Sequence, residues 1–399
     1  MTKIKLSEIC DLQNGYAFKS TDYVEESNTL SCRMSNIRLG GIFDIEYNSR
    51  YLPDSFAEKF KSFLLQDGDL VIAMTDLAND PKLLGVPTLV QTNGKNILLN
   101  QRVGKLVIKN SSKVDNKYLQ YVLNDPKTRK YYKKFASGGL QINLGKSDLL
   151  NVEIFLPPID EQRRIASILD KADELRKKRQ QSIKKLDQLL QTTFVDMFGD
   201  PVSNPKEWNL GKLGDVVHSA KDGPHVSPNY SETGIPFLST RHVRAGKIIW
   251  EDLKFITEED AQIHWKKCKP TRGDILYTKG GTTGLAAVVD TDIDFAVWVH
   301  VALLKTNHDK VRAEWLVSML NTQYCYEQSQ RYTHGIANRD LGLKRMVNIE
   351  MYLPPLDEQD KFVNFKNKLM KNNVLFQNSS SSFEKLFNTL QNKAFSGNL

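Results

Sequence analysis

The chain has 399 residues, 40% of them hydrophobic and 26% charged, with a formal net charge of +8. This is ordinary globular composition at a length that suits about two to three domains, and it excludes a low-complexity, fibrous or membrane-embedded chain. The positive balance permits nucleic-acid binding without demanding it. Cys10, Cys32, Cys268 and Cys325 form no close pair, so neither a zinc site nor a disulfide framework is indicated, and free thiols suit a reducing cytoplasm. The N-terminus has no apolar signal core, and the most apolar stretch, Phe295 to Leu304, is too short to cross a bilayer.

Residues 1–155 alternate short apolar runs with turns. Asp67-Gly68-Asp69 precedes Leu70 to Ala73, which predicts a buried strand after a tight turn. Ile97 to Leu99 and Val103 to Ile108 predict further strands. Lys117 to Asn124 and Lys127 to Phe135 predict short helices on either side of Pro126. The mixture predicts one α/β or α+β domain. The character changes at Leu156. Pro157 and Pro158 force an extended approach, and Asp160 and Glu161 place carboxylates where a helix N-terminus favours them. No Pro or Gly follows until Gly199. Apolar residues recur at Ile165, Ile168, Ala172, Leu175, Ile183, Leu186, Leu190, Phe194 and Met197, mostly in steps of three and four, with Arg179 in the one gap. That is a helix with one buried seam. At 1.5 Å per residue, about 38 residues span roughly 57 Å, too long for a compact domain without a partner helix.

Gly199-Asp200-Pro201 ends the helix, and 200–208 is a linker. A second mixed domain is expected over 209–352, and a second long helix over 353–399 with Phe362, Phe365, Leu369, Phe383, Leu386 or Phe387, and Leu390 on its seam. Asn372-Asn373 and Ser379 to Ser382 are poor helix formers and leave open a break in that helix. The expected order is thus a domain at 1–155, a helix at 156–199, the linker, a second domain and a second helix. The linker lets the chain reverse, so that the helices run antiparallel and zip their seams.

This order is a repeat. Residues 156–162 read Leu-Pro-Pro-Ile-Asp-Glu-Gln and residues 353–359 read Leu-Pro-Pro-Leu-Asp-Glu-Gln, an offset of 353 − 156 = 197. At that offset Tyr118, Leu119 and Leu123 meet Trp315, Leu316 and Leu320, and Leu144 and Gly145 meet Leu341 and Gly342. Nearer each start the offset grows by roughly ten residues, as loop insertions cause. Gly68-Asp69-Leu70 then meets Gly273-Asp274-Ile275, and Ile37-Arg38 before Gly40 meets Val243-Arg244 before Gly246. The period exceeds that of solenoid repeats, about 20–50 residues. Two copies of one domain-sized unit suggest approximate two-fold symmetry, which suits a target with two half-sites.

Motifs for chemistry are missing. Lys279-Gly280-Gly281-Thr282-Thr283-Gly284 is Gly-rich, but no helix is expected after it. It reads as a strand–turn–strand or as a loop that approaches a DNA backbone. No Asp/Asn-Pro-Pro-aromatic methyltransferase motif occurs, and no nuclease carboxylate–Lys cluster. The seven histidines, all in the second half, lack metal-type spacing. No catalytic residue, bound metal or directly bound cofactor is therefore expected. His300 reads as a core or ladder histidine, with a base contact as the alternative. Polar clusters able to read base edges lie between strands. They are Arg33, Asn36 and Arg38 in the first half and Thr240, Arg241, His242 and Arg244 in the second. Asn100-Gln101-Arg102, Lys279, Thr282, and Asn338-Arg339 are further candidates. Tyr131-Tyr132-Lys133-Lys134 reads as a phosphate clamp or as the wet face of a helix.

The doubled Leu-Pro-Pro-x-Asp-Glu-Gln before each long helix, the Phe198-Gly199-Asp200-Pro201 junction, the two Gly-Asp segments and the C-terminal Ala394-Phe395-Ser396-Gly397-Asn398-Leu399 together resemble the specificity subunit of type I restriction–modification enzymes. The resemblance covers essentially the whole chain. It implies two α+β target-recognition domains, each reading one half of a split double-stranded DNA sequence, with a pair of antiparallel helices as coiled-coil spacer. It also implies two methyltransferase subunits as partners, and restriction subunits joined through the complex. S-adenosylmethionine, ATP and Mg are then expected on those partner subunits, and this chain is expected to recognise DNA without being an enzyme.

Overall fold

A computed structural model describes residues 3–135, 140–335 and 339–399. The chain divides into two compact units that do not follow chain order. One comprises residues 1–180 with 378–399, the other residues 181–377. Each holds one mixed domain, part of the central helix Ile159–Phe198 and part of the C-terminal helix Leu356–Ser396.

The two domains share the strand order of their main sheet. In the first, an antiparallel sheet runs Pro87–Leu89, Leu70–Ala73, Val103–Ile108, Cys10–Asn14; in the second, the corresponding sheet runs Thr282–Val288, Ile275–Gly280, Val301–Thr306, Val217–Asp222. A second sheet in each contains one parallel pair, Thr29–Cys32 with Asn96–Leu99 and Ile235–Leu238 with Ala296–Val297. The Gly-Asp turns are also equivalent. Gly68 and Gly273 both sit at positive φ (82° and 91°), and the following aspartates pair with Lys105 (2.6 Å) and Lys305 (2.7 Å). Glycine is required there because a Cβ strains the left-handed region. The short helices Asn116–Asn124 and Pro126–Lys134 begin where Asp115 and Asp125 accept the backbone N–H of Tyr118 and Lys127. Pro126 occupies the first turn, where a missing N–H costs nothing.

The repeated heptapeptide has a structural purpose. Gln162 is fully buried; its carbonyl accepts from the Asp115 N–H (2.9 Å) and its amide donates to the Lys113 and Pro157 carbonyls (2.9 and 2.7 Å). Gln359 repeats this on the Arg312 N–H (2.8 Å) and the Lys310 and Pro354 carbonyls (3.3 and 2.8 Å). In both copies one glutamine ties the start of a long helix to the start of a domain helix.

Within the first unit, Ile165, Ala166, Leu169 and Ala172 of the central helix join the domain core together with Phe387 and Ala394 of the C-terminal helix. Arg164 reaches the Leu399 carbonyl (2.8 Å) and Arg176 reaches Glu384 (3.1 Å), so the two segments run antiparallel there. Within the second unit, Phe194 and Phe198 pack with Phe362 around Trp315. Ile168, Ile183, Leu186, Leu190, Phe365, Leu369 and Phe383 are half-buried.

Two expected seam positions are corrected. Leu175 is 48% exposed, because the buried face steps by four from Ala172 to Arg176. The Arg176 guanidinium lies 4.8 Å from the Phe387 ring centroid and is held by Asp173 and Glu384. Leu386 is 45% exposed, and its neighbour Phe387 takes the inner position against Tyr121. The C-terminal helix is unbroken through its Asn- and Ser-rich interval; burial of its flanks outweighs the weak local propensity.

Lys366, on the C-terminal helix, donates to the Glu314 carbonyl and the Ser318 hydroxyl, both at 3.1 Å. Burial pushes its pKa down to about 8, against a smaller opposing pull from Glu314. The unfolded chain keeps that proton up to the ordinary lysine value of 10.5. Unfolding therefore takes up a proton between about pH 8 and 10.5, and stability should rise with pH across that window. Urea midpoints at about pH 8 and pH 10 check this against Lys366→Met, which should lose this part of the rise.

All four cysteines are buried and free, and burial pushes each thiol up to about 12, which leaves them unreactive. Among the described residues no helix is long and apolar enough to cross a membrane, and no group of three His, Cys, Asp or Glu side chains is placed to hold a metal ion.

Candidate nucleic-acid interface

The best-paired sequence candidates prove to be turn-forming residues. Asn36 is 1% exposed. Its carbonyl accepts from the Arg33 N–H (2.8 Å), and its amide donates to the carbonyls of Asp44 (3.1 Å) and Tyr47 (3.0 Å). His242, its counterpart, is 2% exposed, and its Nδ1 accepts from the Ser239 N–H (2.9 Å). Burial holds the His242 imidazole below its ordinary pKa, and Arg241 and Arg244 push the same way. Both residues close a one-turn helix, so neither can reach a base edge. They match across the repeat because the fold needs the same turn twice. Their neighbours differ in reach. Arg33 is half-buried. Arg38 is half-buried over the Tyr47 ring at 3.7 Å. Thr240 is half-buried, whereas Arg241 and Arg244 are exposed, with Arg244 donating to the Val243 carbonyl (3.2 Å).

The Gly-rich segment is a hairpin. Ile275–Gly280 pairs with Thr282–Val288 around Gly281 at φ 67°. Lys279 is corrected as a candidate. Its side chain is 6% exposed and bridges Asp222 (3.3 Å) and Asp340 (3.2 Å). Burial works against the Asp222 carboxylate, but Lys267 and Lys279 outweigh it and hold its pKa below the ordinary value. A lysine spent on that internal network is not free for phosphate. Thr282, at the tip, is exposed. Arg339 is exposed, lies beside the same hairpin through Gly281 N–H to its carbonyl (2.9 Å), and donates to Gln330. Asn338 lies outside the described residues.

In the first domain Gln101 and Arg102 are exposed on the turn between Asn96–Leu99 and Val103–Ile108, while Asn100 is buried. His300 is not a core residue. It is exposed on the equivalent turn of the second domain, its ring parallel to that of Trp298 (3° between planes, centroids 6.4 Å apart). Of Tyr131 to Lys134, Tyr132 is core and Lys133 and Lys134 are exposed. The sequence also missed a cleft of about 320 Å³ in the first unit, walled in part by Lys117, Arg129, Arg176 and Lys177. Three of these cations are already paired, Lys117 with Asp170 and Arg176 and Lys177 with Asp173, which weakens the cleft as an anion site.

Residues 1–185 and 205–380 each match the type I restriction modification DNA specificity domain. The chain belongs to the type I restriction–modification specificity family. The specificity subunit of the type I restriction enzyme MjaVIII of Methanocaldococcus jannaschii is 30% identical over 335 residues, 78% of this chain and 76% of the relative. The crystal structure of the type I restriction–modification S subunit from M. genitalium superposes with a TM-score of 0.61 at 17% identity, covering 99% of this chain and 96% of that one. A chain from a structural study of type I R-M complex assembly gives 0.54 at 18% identity, covering 100% and 98%. As a type I specificity subunit the protein carries two target-recognition domains and a DNA-recognition role, and catalysis resides on other subunits.

Proposed function

We propose that each recognition domain reads one half of a bipartite duplex target, and that the two long helices set the gap between the halves and hold two methyltransferase subunits, one per half. The observation that carries this reading is the doubling of the docking contact: Gln162 and Gln359 fasten equivalent domains to the two helices through the same three kinds of hydrogen bond. A continuous central helix of 40 residues is about 60 Å long. DNA half-sites recur about every 34–36 Å per turn, so helix length translates into a fixed spacing. Restriction subunits join through the methyltransferases. S-adenosylmethionine, ATP and Mg belong to those partners, which also flip the target adenine out of the duplex. Four buried, unreactive thiols suit work in the cytoplasm.

The test is methylation mapping with the reconstituted complex on genomic DNA. A two-part motif with a constant gap is expected, and methylation without sequence preference would overturn the reading. Affinity for the cognate duplex should fall by about three to five orders of magnitude between about 50 and 200 mM salt, the loss expected of a protein that neutralises about six to ten phosphates. Titrations at several salt concentrations check that slope.

A further inference from the structure

We infer that the turns at Asn100–Val103 and Trp298–Val301 are the matched base-reading turns of the two domains, with Arg102 on one and His300 on the other as the residues that tell the half-sites apart. This rests on the DNA-recognition reading above and names where on each domain it is carried out.

The equivalence is geometric and invisible at the simple repeat offset, which would pair Arg102 with Val299. In both turns the fourth residue's N–H bonds the first residue's carbonyl, Val103 to Asn100 and Val301 to Trp298, each at 2.9 Å. In both, the third residue's carbonyl accepts from the neighbouring segment: Arg102 from the N–H of Met74, just past Leu70–Ala73 (3.0 Å), His300 from the N–H of Lys279, near the end of Ile275–Gly280 (2.9 Å). Those two residues in turn accept from Leu144 (2.9 Å) and Leu341 (2.8 Å), which occupy matching places in the repeat. Both turns are also crossed closely by a glycine. A Cβ at Gly15 would lie 2.3 Å from the Asn100 carbonyl carbon, and one at Gly223 would lie 2.7 Å from that of Trp298. Two copies have thus kept the frame of the turn while its exposed third residue has become chemically different.

Each exposed residue is suited to a base edge. Arginine reads guanine O6 and N7 in the major groove through two parallel N–H groups, and an imidazole offers one donor or acceptor. His300 has a prepared platform. Its ring lies parallel to Trp298, which stacks in turn on Tyr230 (29° between planes, centroids 6.5 Å apart). Gly280 leaves the space the imidazole needs, since a Cβ there would lie 2.1 Å from Nδ1. Lys254 stands 4.2 Å from the Tyr230 ring centroid and the exposed Arg339 flanks the hairpin, so the row is lined with positive charge that complements a phosphate backbone. A planar, partly apolar, basic-edged row fits the groove of a duplex, where aromatic faces meet thymine methyl groups and ring nitrogens meet base edges.

The experiment is methylome mapping of the complex reconstituted with wild-type chain, His300→Ala, His300→Arg, Arg102→Ala and Arg102→His. The His300 variants should change or relax the motif in one half only, and the Arg102 variants in the other half only, with cognate binding weakened by about five- to 150-fold. Gly280→Ala should reproduce the His300→Ala pattern by displacing the ring. If the wild-type complex marks a bipartite site and every variant keeps both halves, or both sets alter the same half, the inference fails while the functional reading stands. If the wild-type complex marks no bipartite site, the functional reading itself fails.

Discussion

Phe362→Ala should destabilise the second unit by about 3–5 kcal/mol. Phe362 is fully buried, and its ring lies 5.2 Å from Phe194 and 5.6 Å from Phe198, both edge-on. Phe198 in turn meets Trp315 at 5.9 Å, so one ring from the C-terminal helix closes a cluster built from the central helix and the domain. Truncation removes the transfer energy of the ring and leaves a cavity among rigid neighbours that cannot collapse into it. Phe362→Leu should recover much of the loss, because it refills most of the volume. Urea denaturation of the purified chain separates the two variants. Phe362→Ala matching the wild-type midpoint would show that the helix is not held by this cluster.

Gln162→Leu should cost about 2–4 kcal/mol in the first unit, although leucine is the more hydrophobic residue. It orphans the Asp115 N–H and the Lys113 and Pro157 carbonyls in a fully buried position. Gln162→Glu keeps the acceptor for Asp115 but loses both donated bonds and buries a charge. That variant should be less stable still at neutral pH and should regain part of the loss on acidification, as the carboxyl protonates. The same pair at Gln359 should behave alike in the second unit. Thermal unfolding of the four variants at neutral and mildly acidic pH reads the pattern. A Gln162→Glu variant indifferent to pH would mean that the side chain is not enclosed as described.

The doubled heptapeptide, the 3.6-residue periodicity after it and the Gly-Asp turns were enough to divide the chain into two like domains and two long helices. These features are local: Pro-Pro stops a strand, acidic residues start a helix, and Gly199 at φ 84° ends one. What a local pattern cannot resolve is a choice between adjacent residues. Leu175 or Arg176, and Leu386 or Phe387, differ by one step of 100° around the helix, and the neighbouring surface decides which faces inward.

The candidate interface shows the same division more sharply. Repeat-matching singled out the paired Arg-containing segments that hold Asn36 and His242, and the correspondence of these two residues is real, yet it reflects a turn that the fold requires twice. A residue that reads DNA differs between the copies when the half-sites differ, so similarity searching within the chain favours structural residues and passes over His300. The sequence by itself determined the duplication, the helices and, through them, the family. Only the tertiary structure decided which polar side chains are spent on the protein's own backbone, because burial and hydrogen-bond partners come from segments tens of residues away. Lys279 is the plainest case, a cation in a Gly-rich loop whose charge is neutralised by Asp222 and Asp340, 57 and 61 residues distant.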